Sequence, residues 1–136
     1  MATDTSDHRP SVYPVLRYDD AHKAIAFLTE AFGFTALQVF EGEGGTVEHA
    51  QLGWGTGVVM LSSSSSGDPM FDTGPATVYV AVDDADAHHA RSVAAGAEII
   101  MPLTDQSYGS RDYSAKDPEG TIWSFGTYRP AADGSA

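Results

Sequence analysis

A chain of 136 residues is the size of one domain and can bury a core without covalent staples. It carries no cysteine, which excludes disulfides and thiolate metal sites, and no apolar run near the ~20 residues of a membrane span. Nineteen acids against seven bases give a net charge of −12, too few cations to neutralise a nucleic-acid backbone, whereas an acidic surface attracts cationic small molecules.

Residues 1–10 are polar and without an apolar segment, so a loose tail and a cytoplasmic protein are expected. Val12 to Tyr18 reads as a strand, with Pro14 suited to its start. Asp20 is a helix N-cap; Ala21, Ala24, Ile25 and Leu28 recur at helical spacing, and Gly33 stands where a left-handed stop is expected. Phe34 to Phe40 reads as a strand, Glu41 to Gly45 as a turn, and Thr46 to Trp54 with Val58 to Ser62 as a hairpin. A serine run from Ser62, then Gly-Asp-Pro and Gly-Pro, marks residues 63–76 as a linker.

The same order then recurs about 64 positions on. Thr77 to Val82 is a β-branched strand; Asp84 caps a helix whose expected inner stripe is Ala87, Ala90 and Val93 or Ala94; Gly96 ends it. Glu98 to Met101 reads as a strand halted by Pro102, and Thr104 to Ser110 as a polar loop long enough to cover a cavity mouth. Arg111 to Lys116 and Thr121 to Tyr128 close the unit, and 129–136 reads as a tail. The chain is thus β-α-β-β-β written twice, residues 11–62 and 77–128, which gives an α+β fold with mixed sheets.

Tyr18-Asp-Asp-Ala-His-Lys-Ala-Ile-Ala-Phe27 with Ala31-Phe-Gly33, and Val82-Asp-Asp-Ala-Asp86 with Asp117-Pro-Glu-Gly-Thr-Ile-Trp123, resemble the vicinal oxygen chelate superfamily of glyoxalases, bleomycin-resistance proteins and extradiol dioxygenases. The resemblance implies two half-barrel modules around a cavity, and a homodimer. Metal-using members place ligands on the first and last strand of each module, positions that fall here on Tyr13, Met60, Thr77 and Ser124. None is a histidine or a carboxylate, and a thioether with neutral hydroxyls is a poor donor set for a divalent ion. The sequence is therefore closest to the metal-free, bleomycin-resistance-like branch, with no cofactor expected.

Alternation directs His49 and Gln51 toward the cavity, with Ala50 and Leu52 toward the helix. Tyr113, at the matching place in the second unit, is expected to face His49, with Arg111 beside it as a clamp for an anion or a partner of an acid. Arg17 shares the Tyr13 face. Trp54 would rim the cavity, Trp123 pack in the core, and Tyr79, Tyr108, Tyr128 and Phe40 form aromatic walls. His22, His88 and His89, near helix starts, are expected to be exposed, as is His8 in the tail. The function expected from this set is sequestration of an aromatic or cationic small molecule. The rival is a lyase, isomerase or glyoxalase-like enzyme using His49 with Glu48 at a metal, or His49 and Tyr113 as acid and base.

Overall fold

A computed structural model describes residues 9–10, 12–64 and 69–130. Expectations about 1–8, 11, 65–68 and 131–136 lie outside the described residues. The elements are β1 Val15–Tyr18, α1 Ala21–Glu30, β2 Thr35–Glu41, β3 Val47–Trp54, β4 Gly57–Ser63, β5 Thr77–Ala81, α2 Ala85–Ala94, β6 Glu98–Asp105, β7 Arg111–Lys116 and β8 Ile122–Gly126. They form two four-stranded mixed sheets, ordered β1-β4-β3-β2 and β5-β8-β7-β6, in which the first and last strand of each unit pair in parallel. Among the described residues no helix is long and apolar enough to cross a membrane.

The start and stop signals act as the sequence suggests. The Asp20 carboxylate accepts the Lys23 N–H at 3.0 Å, and the Asp84 carboxylate accepts the Ala87 N–H at 3.0 Å. Gly33 and Gly96 follow the helices with φ of 85° and 84°, a conformation open to glycine at little cost. Three expectations fail. The first strand starts only at Val15, after Pro14. The strand at Glu98 runs through Pro102 to Asp105, because it is an edge strand whose pairing with β7 slips around Met101, where a missing N–H costs nothing. The loop that follows is therefore only a short hairpin turn, closed by the Gln106 N–H to the Ser110 carbonyl at 2.7 Å, and it is too short to be a lid.

The third failure is the face of α2. Its Ala87, Ala90, Val93 and Ala94 are exposed, while Ala85, His88 and Ser92 are buried. The reason lies in the other module. Helix α1 ends against α2, and its last carbonyls need donors. Arg91 Nε and Nη2 reach the Glu30 and Thr29 carbonyls at 3.2 Å each, Ser92 Oγ lies 3.3 Å from that of Ala31, and His88 Nε2–H donates to that of Phe32 at 2.7 Å. Turning the alanine stripe inward would leave the buried Ala31 and Phe32 carbonyls unpaired, at about 1–3 kcal/mol each, which outweighs the little that methyl groups gain.

The opposite end of α1 is held by the same module. The Glu119 carboxylate accepts the Asp19 and Asp20 N–H groups at 2.7 and 2.8 Å. Phe32 packs on Trp123 and Phe125 (centroids 5.9 and 4.8 Å), and Phe34 on Trp123 (5.4 Å). The helix-side faces of both sheets thus join in one core. Their opposite faces turn outward.

Candidate functional site

Each sheet presents an outer face whose residues follow from register. In the first unit β-pairing sets Met60 between Val15 and Gln51, and His49 beside Phe40. In the second it sets Ser124 between Tyr79 and Ser114, and Asp112 beside Gly126. Where the units meet, a cleft of about 550 Å³ opens between the β3–β4 turn and the free edge of β5. Trp54, Val58, Val78 and Tyr79 are among its walls. Trp54 is fixed by donating its indole N–H to the Ala81 carbonyl at 2.9 Å and by packing on Phe34.

The other residues singled out from sequence are dispersed. His49 is half-buried on the outer face, stacked on Phe40 (centroids 6.3 Å), with Gln51 Nε2 3.0 Å from its Nε2. Glu48 is exposed and, by alternation, on the other face, so the two do not converge on one ion. Tyr108 and Tyr128 meet edge to face at 6.0 Å, and Tyr79 donates its hydroxyl to the Tyr128 carbonyl at 2.7 Å. Arg17 contacts the Ser63 carbonyl and Asp72, each at 3.4 Å, beside the Phe71 ring, in a small acid-rimmed hollow. Tyr13 is part-exposed ahead of β1, and Thr77 is exposed at the start of β5.

Two expectations are overturned. Tyr113 does not face His49. It is fully buried on the helix side, its hydroxyl 2.6 Å from both His88 Nδ1 and Ser92 Oγ, and burial pushes its pKa up to about 12. Arg111, on the same side, is bound bidentately by Asp86 and also by Asp105 (3.0 and 3.1 Å), the second of the two roles its sequence position offered. His88 is not exposed. It sits among Phe32, Trp54, Tyr113 and Phe125, and burial lowers its pKa, so the ring is neutral, accepts from Tyr113 at Nδ1 and donates from Nε2. One signal for this was present: His88, Arg91 and Ser92 fall at i, i+3 and i+4, a polar helix stripe.

Two buried carboxylates were not among the candidate site residues. Asp117 accepts four hydrogen bonds: from the Glu119 and Thr121 N–H groups (3.0 and 3.1 Å), the Tyr18 hydroxyl (2.6 Å) and the Trp123 indole (3.0 Å). Among the described residues Asp112 accepts only from the Ser110 and Tyr108 hydroxyls.

The four positions that hold a metal in metal-using relatives do not suit one. Ser124 Oγ is hydrogen-bonded to Ser114 Oγ at 2.7 Å, and Met60 lies between the side chains of Val15 and Gln51. Among the described residues no group of three or more His, Asp or Glu comes together to hold an ion.

The family model of the Glyoxalase/Bleomycin resistance protein/Dioxygenase superfamily matches residues 11–125. The chain belongs to this superfamily. The uncharacterized protein Mb0911c of Mycobacterium bovis is 35% identical over 125 residues, covering 86% of this chain and 82% of its own length. Among solved structures, TioX from Micromonospora sp. ML1 superposes with a TM-score of 0.73 at 34% identity, over 91% of this chain and 100% of TioX. Lactoylglutathione lyase from Agrobacterium tumefaciens superposes with a TM-score of 0.66 at 20% identity, over 86% of this chain and 93% of its own, a likeness of fold alone. Within the superfamily the structure accounts for the most specific sequence signature, the Asp117-Pro-Glu-Gly120 turn: it grips Tyr18 and the start of α1, and so joins the two modules.

Proposed function

We propose that this superfamily member is a small-molecule binding protein that holds an aromatic or cationic ligand by contact, without a metal, and acts by sequestration. The observation that supports it best is the pairing of an apolar, aromatic-walled cleft of about 550 Å³ with metal positions filled by Tyr13, Met60, Thr77 and Ser124. Trp54 and Tyr79 offer stacking surfaces, and the outer faces add Phe40, Tyr108 and Tyr128, all well exposed. Such an area of exposed aromatic surface in one chain also fits a homodimer in which a second copy packs against part of the outer faces. The enzyme reading is weaker here, because His49 and Tyr113 lie on opposite sides of their sheets and share no substrate position.

The test is a thermal-shift screen of flat and cationic natural products against the purified protein. A ligand at a hundred times its dissociation constant contributes about 2.7 kcal/mol, several degrees in Tm. A flat response across the library, or stoichiometric Ni, Zn, Mn or Fe in protein purified without chelators, overturns the proposal. Light scattering with and without ligand reads the dimer.

A further inference from the structure

Two carboxylates are buried in the second module, at 5% and 6% exposure, and their surroundings differ in kind. Asp117 is surrounded by donors, two of them backbone N–H, and all its acceptor capacity is used within the fold. Asp112 lies on the outer face of β7, over the Cα of Gly126, where a Cβ would collide with the carboxylate. Its two partners are hydroxyls, Ser110 and Tyr108, both from the hairpin turn that precedes it. Among the described residues no Lys or Arg forms an ion pair with it. Arg111 is engaged on the far face with Asp86 and Asp105, and Arg129 with Asp83 at 2.8 Å. Each carboxylate oxygen takes one hydroxyl donor, which leaves acceptor sites on both that the fold does not use. The side chains around it suit a positive charge. Tyr79 brings its hydroxyl to 2.7 Å from the place a Gly126 Cβ would take, and Tyr108 and Tyr128 stand edge to face beside it. These three rings are 40%, 63% and 44% exposed in the single chain.

We infer that Asp112, with Tyr79, Tyr108 and Tyr128, forms a subsite for an organic cation, an alkylated or aromatic nitrogen held by the buried carboxylate and the ring faces. This rests on the small-molecule reading and deepens it: the ligand carries a fixed positive charge, and Asp112 is the residue that selects for it. The carboxylate acts by charge and the tyrosines by their quadrupoles, so a neutral molecule of the same outline gains only the contact with the rings.

The experiment compares N-methylquinolinium with quinoline, a near-isosteric pair of which only the first is charged at neutral pH, by titration calorimetry on the wild-type protein, Asp112→Asn and Tyr108→Ala. Wild type is expected to bind the cation roughly tenfold more tightly. Asp112→Asn removes that preference and leaves quinoline binding unchanged, while Tyr108→Ala weakens both probes and the cation more. If wild type binds the two probes equally, the cation subsite is wrong and the small-molecule reading stands. If neither binds, the inference falls, and the broader screen alone then carries the small-molecule reading. Retention of the preference in Asp112→Asn overturns the role of the carboxylate. Should that variant fail to fold, the wild-type comparison and the loss in Tyr108→Ala decide the question.

Discussion

The Tyr18 hydroxyl donates to Asp117 Oδ2 across 2.6 Å, linking the last residue of β1 to the turn that precedes β8 in the other module. Asp117 raises the Tyr18 pKa further after burial has already done so, so the phenol stays protonated as a donor. Because Asp117 also holds its own turn and the Trp123 indole, Asp117→Ala is expected to destabilise the protein by about 3–5 kcal/mol, and Tyr18→Phe by about 1–2 kcal/mol. Urea unfolding measures both, and the double variant should cost less than the two singles added, because they share one bond.

His88 makes stability depend on pH. Its folded pKa lies below the unfolded value of about 6.5, because burial disfavours the charged ring. Between the two values the unfolded chain binds the proton and the folded chain does not. The contribution is therefore present above about pH 6.5 and is lost as pH falls toward the depressed folded value. His88→Gln should flatten the profile in that window while lowering stability at neutral pH by about 1–3 kcal/mol, since the Phe32 carbonyl and Tyr113 hydroxyl lose ideal partners. Denaturation of both proteins across the window checks the sign.

What the sequence revealed and what it hid divide along one physical line. Helix α1 was legible because everything that defines it is local: the Asp20 cap, the buried Ala21, Ala24 and Leu28, and Gly33. On β3 the alternation of Ala50 and Leu52 against His49 and Gln51 told the two faces apart. On β7 it did not, because Asp112 and Ser114 are as polar as Arg111 and Tyr113, and Tyr113 was set on the wrong side. The burial of His88 and Ser92 was hidden for a related reason: it answers carbonyls of α1 about 60 residues away in the chain. The superfamily signature named the fold, yet the link from Asp117 to Tyr18 that explains the signature is long-range.

Gly126 is a glycine for want of space, since an added Cβ would overlap the Asp112 carboxylate. Gly126→Ala is expected to cost about 1–3 kcal/mol by overpacking. In an Asp112→Ala background the same change should cost much less, a coupling that a double-mutant cycle by urea unfolding reads directly.

Chelation should leave the protein unchanged. With no nitrogen or carboxylate at the four family metal positions, dialysis against EDTA followed by scanning calorimetry is expected to give the same Tm within error, and added Zn²⁺ or Ni²⁺ should not raise it. A Tm that falls on chelation and returns with one metal would move the chain to the metal-using members of its superfamily.

Of the two tryptophans, Trp123 is fully buried in the core and Trp54 lines the cleft with its indole N–H tied to the Ala81 carbonyl. The emission of the pair should therefore divide cleanly. Ligand entering the cleft should quench or shift the Trp54 component and leave Trp123 unaffected. Trp54→Phe should abolish the ligand-dependent change and weaken binding by about two- to tenfold, at a loss of stacking worth about 0.5–1.5 kcal/mol. The same variant also removes the donor from the Ala81 carbonyl, which faces the open cleft and can turn to water, so stability should fall by only about 1 kcal/mol. A ligand-dependent signal that survives in Trp54→Phe would place binding at the Asp112 subsite alone, outside the cleft that Trp54 lines.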